Sequence, residues 1–151
     1  MKIKTFNLLK WWLFPIFFFW CLPQNFLGFF IYLYSVFRGH CKRIKTSEGF
    51  VYFETDKKSK VYGVSLGYFV FLSEYYKDNL LSYHHEFGHQ IQSLIYGIFY
   101  LFLIGLPSGL SNVFKTAKTS LIYYNYPWER QADKLGGIQH QNLNYTRELL
   151  N

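Results

Sequence analysis

Residues 83 to 93 read YHHEFGHQIQS and hold three of the chain's five histidines. His85 and His89 flank Glu86 in the order H-E-x-x-H. On an α-helix, positions i and i+4 share a face, so both imidazoles can reach one metal ion. Glu86, one step along from His85, can reach a water at that ion without being a ligand itself. Two ligands, one general base and one activated water describe a hydrolytic zinc centre. In such a centre Glu86 takes a proton from the attacking water and passes it to the leaving amine. Cys21 lies in an apolar run and Cys41 among basic residues, far from the histidines. Two such cysteines argue against a cysteine-rich zinc site and against a disulfide framework.

A catalytic zinc takes three protein ligands. Glu129, 40 residues beyond His89, is the best candidate for the third. It opens a short helix expected over PWERQADKLGG, where Pro127 favours the start and Gly136-Gly137 the stop. Asp133 is four residues on, on the same face, and can fix the tautomer and orientation of a ligating histidine. The competing reading makes His85 and His89 core histidines satisfied by backbone carbonyls, and pairs Glu129 with Arg130 or Lys134 on a solvated face. Two histidines with a glutamate between them weigh against it. His84 has no spacing partner and reads as structural; His40 and His140 read as exposed. Tyr123, Tyr124 and Tyr126 read as membrane-interface or packing residues. Any one of them could donate a hydrogen bond to a developing oxyanion, and spacing does not choose among them.

The elements that must hold these residues follow from periodicity. Leu81, His85, Gly88, His89 and Gln92 recur at threes and fours, which predicts a helix from about Leu80, N-capped by Asp78 or Asn79 and ended or broken by Gly97. Upstream, Phe50–Glu54 and Val64–Leu72 are β-branched and aromatic, with the polar DKKSK between them. This predicts a hairpin. Gly67 inside the second run suggests a bulge or a close backbone approach. Downstream, Ile98–Leu106 is an apolar run closed by Pro107. With PSGLSNVF it can form a kinked, partly embedded segment. KTAKTSLIYYNYP reads as a connection, and the tail from Ile138 as peripheral.

The chain's 151 residues suit one core. It is 50% hydrophobic and only 17% charged, where soluble domains carry roughly 25% charged residues. Lys2, Lys4, Lys10, Arg38, Lys42, Arg43 and Lys45 all precede the first acidic residue, Glu48. The excess charge thus flanks the uncharged stretch from 11 to 37 and does not form a basic stripe on the rest, which argues against nucleic acid and for anionic lipid. The first alanine is Ala117, and Trp20 precedes Cys21, so the stretch lacks signal-peptide and lipoprotein cleavage sites. Residues 11–37 can span once as a helix of roughly 40 Å, form a re-entrant hairpin at LPQN, or be two buried core helices. The chain divides into an anchoring segment, 1–46, and a metal-binding domain, 47–151.

HEFGHQIQS and PWERQADKLGG together resemble the gluzincin zinc metallopeptidases, most nearly the small membrane-associated kind. That group pairs H-E-x-x-H with a downstream glutamate, often in an E-x-x-x-D context. The resemblance covers two short windows. It implies zinc-ligand roles for His85, His89 and Glu129, a base role for Glu86 and an orienting role for Asp133. It also implies a strand beside the active-site helix that pairs with substrate backbone, for which Val64–Leu72 is the counterpart. Characterised gluzincin peptidases are larger, so the chain reads as a minimal version.

The expected fold is α+β and predominantly helical: a minimal zincin-like fold with a small β-hairpin or short sheet beside the active-site helix, and an N-terminal apolar membrane segment. The expected function is a membrane-associated zinc-dependent metallopeptidase. It would hydrolyse peptides or membrane-proximal protein segments by a Glu86-activated zinc-bound water, at a bacterial cytoplasmic membrane with the basic flanks inside. The alternative is a non-catalytic membrane zinc-binding or scaffold protein whose site is structural or vestigial. A third reading buries the apolar runs in a soluble oligomer.

Overall fold

The computed structural model describes residues 14–43, 51–55, 63–73, 80–114 and 125–138. The lysines at 2, 4, 10 and 45, Glu48, the DKKSK turn, the cap candidates Asp78 and Asn79, and Tyr123, Tyr124 and His140 lie outside these residues.

The apolar N-terminal run forms two helices, α1 (Phe14–Trp20) and α2 (Leu22–Phe37), separated at Cys21. Pro23 lies in the first turn of α2, where its missing N–H costs nothing. LPQN therefore starts a helix and is not the turn of a hairpin. Gln24 and Asn25 face inward and are buried. Gly39, at φ 68°, closes α2: the Gly39 N–H donates to the Val36 carbonyl and the His40 N–H to the Ser35 carbonyl.

Strands β1 (Cys41–Arg43), β2 (Val51–Thr55), β3 (Gly63–Leu66) and β4 (Phe69–Ser73) make one sheet in the order β1-β2-β4-β3. This corrects the expected hairpin. Val64–Leu72 is not one strand but two, folded at a two-residue turn, Gly67-Tyr68, with Leu66 opposite Phe69. Gly67 has φ 62°, which a tight hairpin turn needs and which a glycine reaches without strain. It is also a close approach, since the Asn25 side chain occupies the space that a Cβ would take. The β2 strand pairs in parallel with β4, not with β3. Cys41–Arg43, from the anchoring segment of the sequence division, pairs antiparallel with β2.

Both faces of β4 are covered, which explains its unbroken apolar run. Val70 and Leu72 pack with Phe87 of the next helix, α3 (Leu80–Tyr96), and Phe71 packs with Leu66, Ile31 and Tyr32 on the α2 side. Gln90 of α3 donates to the Gly67 carbonyl, and Asn25 Oδ1 accepts from the Tyr68 N–H, so both layers grip the same turn.

Helix α3 ends at Gly97, which has φ 53° and opens one 3₁₀ turn, Gly97–Phe99. A π-helical turn, Leu101–Gly105, leads into α4 (Leu106–Val113). Pro107 sits in the first turn of α4, where its missing N–H is tolerated, and the apolar run continues into PSGLSNV as a bent segment. The axis bends by 119° between Leu81–Phe99 and Leu101–Val113. Among the described residues no single helix is long and apolar enough to cross a bilayer. Helix α5 (Pro127–Leu135) packs along α3. It ends in a Schellman motif: the Gly137 N–H donates to the Lys134 carbonyl and the Ile138 N–H to the Asp133 carbonyl. The described chain is predominantly helical with one small sheet, as α+β requires.

Candidate metal centre

Two helices build the site, and two glycines set their spacing. Gly88, inside HEFGH, faces α5 so closely that a Cβ there would lie 1.8 Å from the Ala132 carbonyl oxygen. Gly136 faces α3 in the same way, 1.9 Å from the His84 carbonyl oxygen by the same measure. His84 bonds through Nδ1 to the Gly136 carbonyl at 2.9 Å, so its structural role is to hold the end of α5. The buried residues of α5 are Glu129, Ala132 and Asp133, which turns its two carboxylates inward.

This packing brings His85, His89 and Glu129 together. One ligand atom from each lies within 4.8 Å of the others. Nε2 of His85 and of His89 lie 3.1 and 3.3 Å from the same atom, Glu129 Oε2. Tetrahedral zinc with bonds near 2.0–2.1 Å separates its ligand atoms by about 3.3 Å. Glu129 is fully buried, as ligands pulled from α5 into the α3 face must be. Its other oxygen, Oε1, is buried without a hydrogen-bond partner.

The outer nitrogens of both imidazoles are fixed. His85 Nδ1 lies 2.7 Å from Asp133 Oδ1, a carboxylate oxygen, so Nδ1 carries the proton and donates. His89 Nδ1 lies 2.7 Å from Gln92 Oε1. The Gln92 amide has no freedom to flip. Its Nε2 donates to the Trp128 carbonyl at 2.7 Å and to Gln131 Oε1 at 2.9 Å, which leaves its oxygen to accept from His89. Both neutral histidines therefore present an Nε2 lone pair to a carboxylate oxygen. Lone pair facing lone pair is repulsive unless a cation stands between, and a metal ion or a proton meets that need. The residues present fit a metal.

The electrostatics agree. Burial alone would lower the His85 pKa, but hydrogen bonds to Asp133 and Glu129 and the charges of Glu86 and Asp133 raise it to about 10. Burial alone would raise Glu129, but hydrogen bonds from both histidines and their charges hold it well below the usual carboxylate range. A metal held by these three residues would compete with the proton on His85. Burial raises the Glu86 pKa, against the pull of His85 and His89. Glu86 is not among the three ligand candidates. Its carboxylate lies against β3, where a Cβ on Gly63 would fall 2.2 Å from Oε1.

Three participants were not legible as such. Gln92 appears in the periodic pattern but not as the partner of His89; standing one turn beyond a ligand was the available signal. Gly88 is visible as a helix residue, not as the gap that admits α5. Tyr100 is buried at the π-helical bend, and its hydroxyl donates to the Ser65 carbonyl of β3 at 3.3 Å. Burial, then the charges of Glu86 and Glu129, push its pKa well up. Among the tyrosines singled out from sequence, Tyr126 stacks on Trp128, with ring centroids 4.8 Å apart. His40 is exposed, and Arg130 and Lys134 point outward, away from the buried Glu129.

Gln92→Leu removes the acceptor that faces His89 Nδ1, at nearly constant volume. We expect metal affinity to fall about 10- to 100-fold, as for other partners of metal-bound histidines. Competition against a chelator dye measures this. Unchanged affinity would mean that Gln92 does not set the His89 tautomer.

No protein-family profile, curated protein or solved structure matches this chain.

Proposed function

We propose that this chain is a membrane-associated zinc metallopeptidase of minimal zincin-like fold. The observation that carries the reading is the convergence of His85, His89 and Glu129 Nε2 and Oε2 atoms beside a buried, non-ligating Glu86. The choice of zinc rests on a small nitrogen and oxygen donor set at tetrahedral spacing with no sulfur. Bound there, zinc supplies a Lewis acid and lowers the pKa of a bound water to about 7.

The chain's own residues do the rest. Asp133 and Gln92 hold the two imidazoles as Nδ1–H tautomers, so Nε2 remains the donor atom. Glu86 accepts the proton of the attacking water and delivers it to the departing amine nitrogen. Burial, which raises its pKa, favours the uptake of that proton. Strand β3 is the sheet's edge among the described residues and runs beside α3. An extended peptide added to that edge would lie next to Glu86, with backbone hydrogen bonds fixing its register.

The charge asymmetry of the first 47 residues supports a membrane setting, with the basic flanks on the cytoplasmic side. Incubating the zinc-loaded chain with a peptide mixture, with and without a chelator, tests the activity. Cleavage that stops on chelation and returns with zinc supports it; no cleavage of any peptide at full zinc occupancy favours the non-catalytic alternative.

Gly63→Ala separates chemistry from metal binding. The new Cβ displaces the flexible end of a side chain, not backbone, so stability changes little. The Glu86 carboxylate must move, and misplacement by about 1 Å costs about 10²-fold in rate. The expected result is full zinc occupancy with kcat reduced to that extent. A kcat equal to that of the unmodified chain would remove Glu86 from its place against β3.

A further inference from the structure

Helix α2 is inside out for a protein surrounded by water. Its inward face is polar or small, with Gln24, Asn25, Gly28 and Ser35 buried. Its outward face carries Phe30, Leu33 and Phe37, the last 91% exposed. The chain after His89 repeats the inversion: Gln92, Ser93 and Gly97 are buried, while Phe99, Phe102 and Val113 stand out. A helix on a soluble protein does the opposite, burying its apolar stripe. The two outward faces adjoin. The Trp20 indole donates to the Leu94 carbonyl at 2.9 Å, Gln24 donates to the Gly97 carbonyl at 2.7 Å, and Leu101 packs against the same buried pair, Leu66 and Phe71, as Ile31 and Tyr32 of α2. An apolar face of this extent marks an interaction surface.

We infer that α1–α2 and residues 95–114 form one lipid-embedded face, seated in a single leaflet of an anionic bilayer without crossing it. The inference deepens the membrane setting proposed above and does not depend on hydrolysis. Charge selects the occupant. Neither apolar element contains a charged residue, and the first residue after each is basic, Arg38 after Phe37 and Lys115 after Phe114. A positive rim fits anionic headgroups and repels a second copy of itself. Length and packing set the depth. The 16 residues of α2 reach about 24 Å, short of a hydrocarbon core of about 30 Å. Its other face is occupied by the sheet, and the second element is bent by 119°. The metal site then lies close to the boundary. His89 stands six residues before Ile95, the first exposed apolar residue that follows it on α3, about 9 Å along the helix. The substrates this placement favours are extended segments emerging from the same leaflet.

The test uses the full chain and flotation with vesicles. It should float with mixed phosphatidylcholine and phosphatidylglycerol and far less with phosphatidylcholine alone. Equal flotation with both overturns the anionic assignment. No flotation, with a dimer in solution, overturns the lipid assignment and gives the face to a second copy. Phe102→Glu with Leu103→Glu should weaken partitioning by about 10²-fold while one zinc per chain remains bound. If that variant loses its zinc, Phe30→Glu with Phe37→Glu on α2 reads the same quantity, and unchanged partitioning in the folded variant overturns the inference. Cysteines placed at Arg38 and Lys115, the basic positions that follow the two apolar elements in the sequence, in a Cys21→Ser and Cys41→Ser background, should both react with an impermeant maleimide added outside. Protection of one of them means that the chain crosses. Glu86→Gln should float like the unmodified chain whatever its activity, so a failed peptidase reading leaves this result standing.

Discussion

Glu86→Gln is expected to retain one zinc per chain and to lose peptide hydrolysis, by about 10²- to 10⁴-fold in kcat. The amide has the shape of the carboxylate and fits the same space against Gly63. It leaves His85, His89 and Glu129 untouched. What it lacks is the ability to take up a proton, the one task assigned to Glu86. Metal content by emission spectrometry and turnover on a cleaved peptide read the two halves separately. Zinc retained with turnover retained would overturn the mechanism while leaving the metal site in place. Zinc lost would mean that Glu86 supports the ion itself.

Gly88→Ala is expected to damage folding and zinc binding together. Its Cβ would meet the Ala132 carbonyl oxygen at 1.8 Å, and that oxygen belongs to backbone. No rotamer change relieves the clash, so α5 must move away from α3. Overpacking of this kind costs about 1–3 kcal/mol of stability. The functional cost is larger, because Glu129 and Asp133 both travel with α5. A ligand displaced by about 1 Å no longer closes a site with bonds near 2.0–2.1 Å. Zinc affinity is expected to fall about 10²-fold or more, as if Glu129 were removed. Gly109→Ala is the control: it lies in α4 with nothing within 4 Å of the new Cβ, and should leave both stability and zinc affinity unchanged. Chelator competition and thermal unfolding measure both variants. A Gly88→Ala chain that binds zinc normally would show that α5 does not depend on this contact.

The parts of the site that were legible in sequence are those encoded locally. H-E-x-x-H carries its own geometry once it is helical, and α3 runs from Leu80 to Tyr96, ended at Gly97 as expected. Helix α5 was bounded by Pro127 and Gly136-Gly137, and it occupies Pro127–Leu135. Glu129 and Asp133 at i and i+4 then had to share a face. That this face turns towards His85 and His89 is a tertiary fact, and the small residues Gly88 and Gly136 produce it.

The sheet was less legible, for a physical reason. Gly67 inside an apolar run reads as a bulge or a close backbone approach, and a turn needs the same backbone freedom of glycine. Which one occurs depends on Asn25 and Gln90, which bond the turn from distant parts of the chain. The parallel pairing of β2 with β4 leaves no local signal at all. LPQN was misleading for the same kind of reason. Gln24 and Asn25 look like a polar break in an apolar span. Besides the nearby Phe18 carbonyl, their partners are Ser93, Gly97 and Tyr68, 43 to 73 residues away. With those partners, a polar pair becomes the inner face of α2, and the surrounding phenylalanines become its outer face.

The central claim is that His85, His89 and Glu129 hold one zinc ion. X-ray absorption at the zinc edge on the zinc-loaded full chain tests it most directly. The expected spectrum shows nitrogen and oxygen neighbours at about 2.0–2.1 Å and no sulfur. Its outer-shell scattering should fit two imidazoles, and Glu129→Ala should abolish tight binding. A chain that retains no zinc, a sulfur neighbour at about 2.3 Å, or unchanged zinc binding in Glu129→Ala would contradict the assignment.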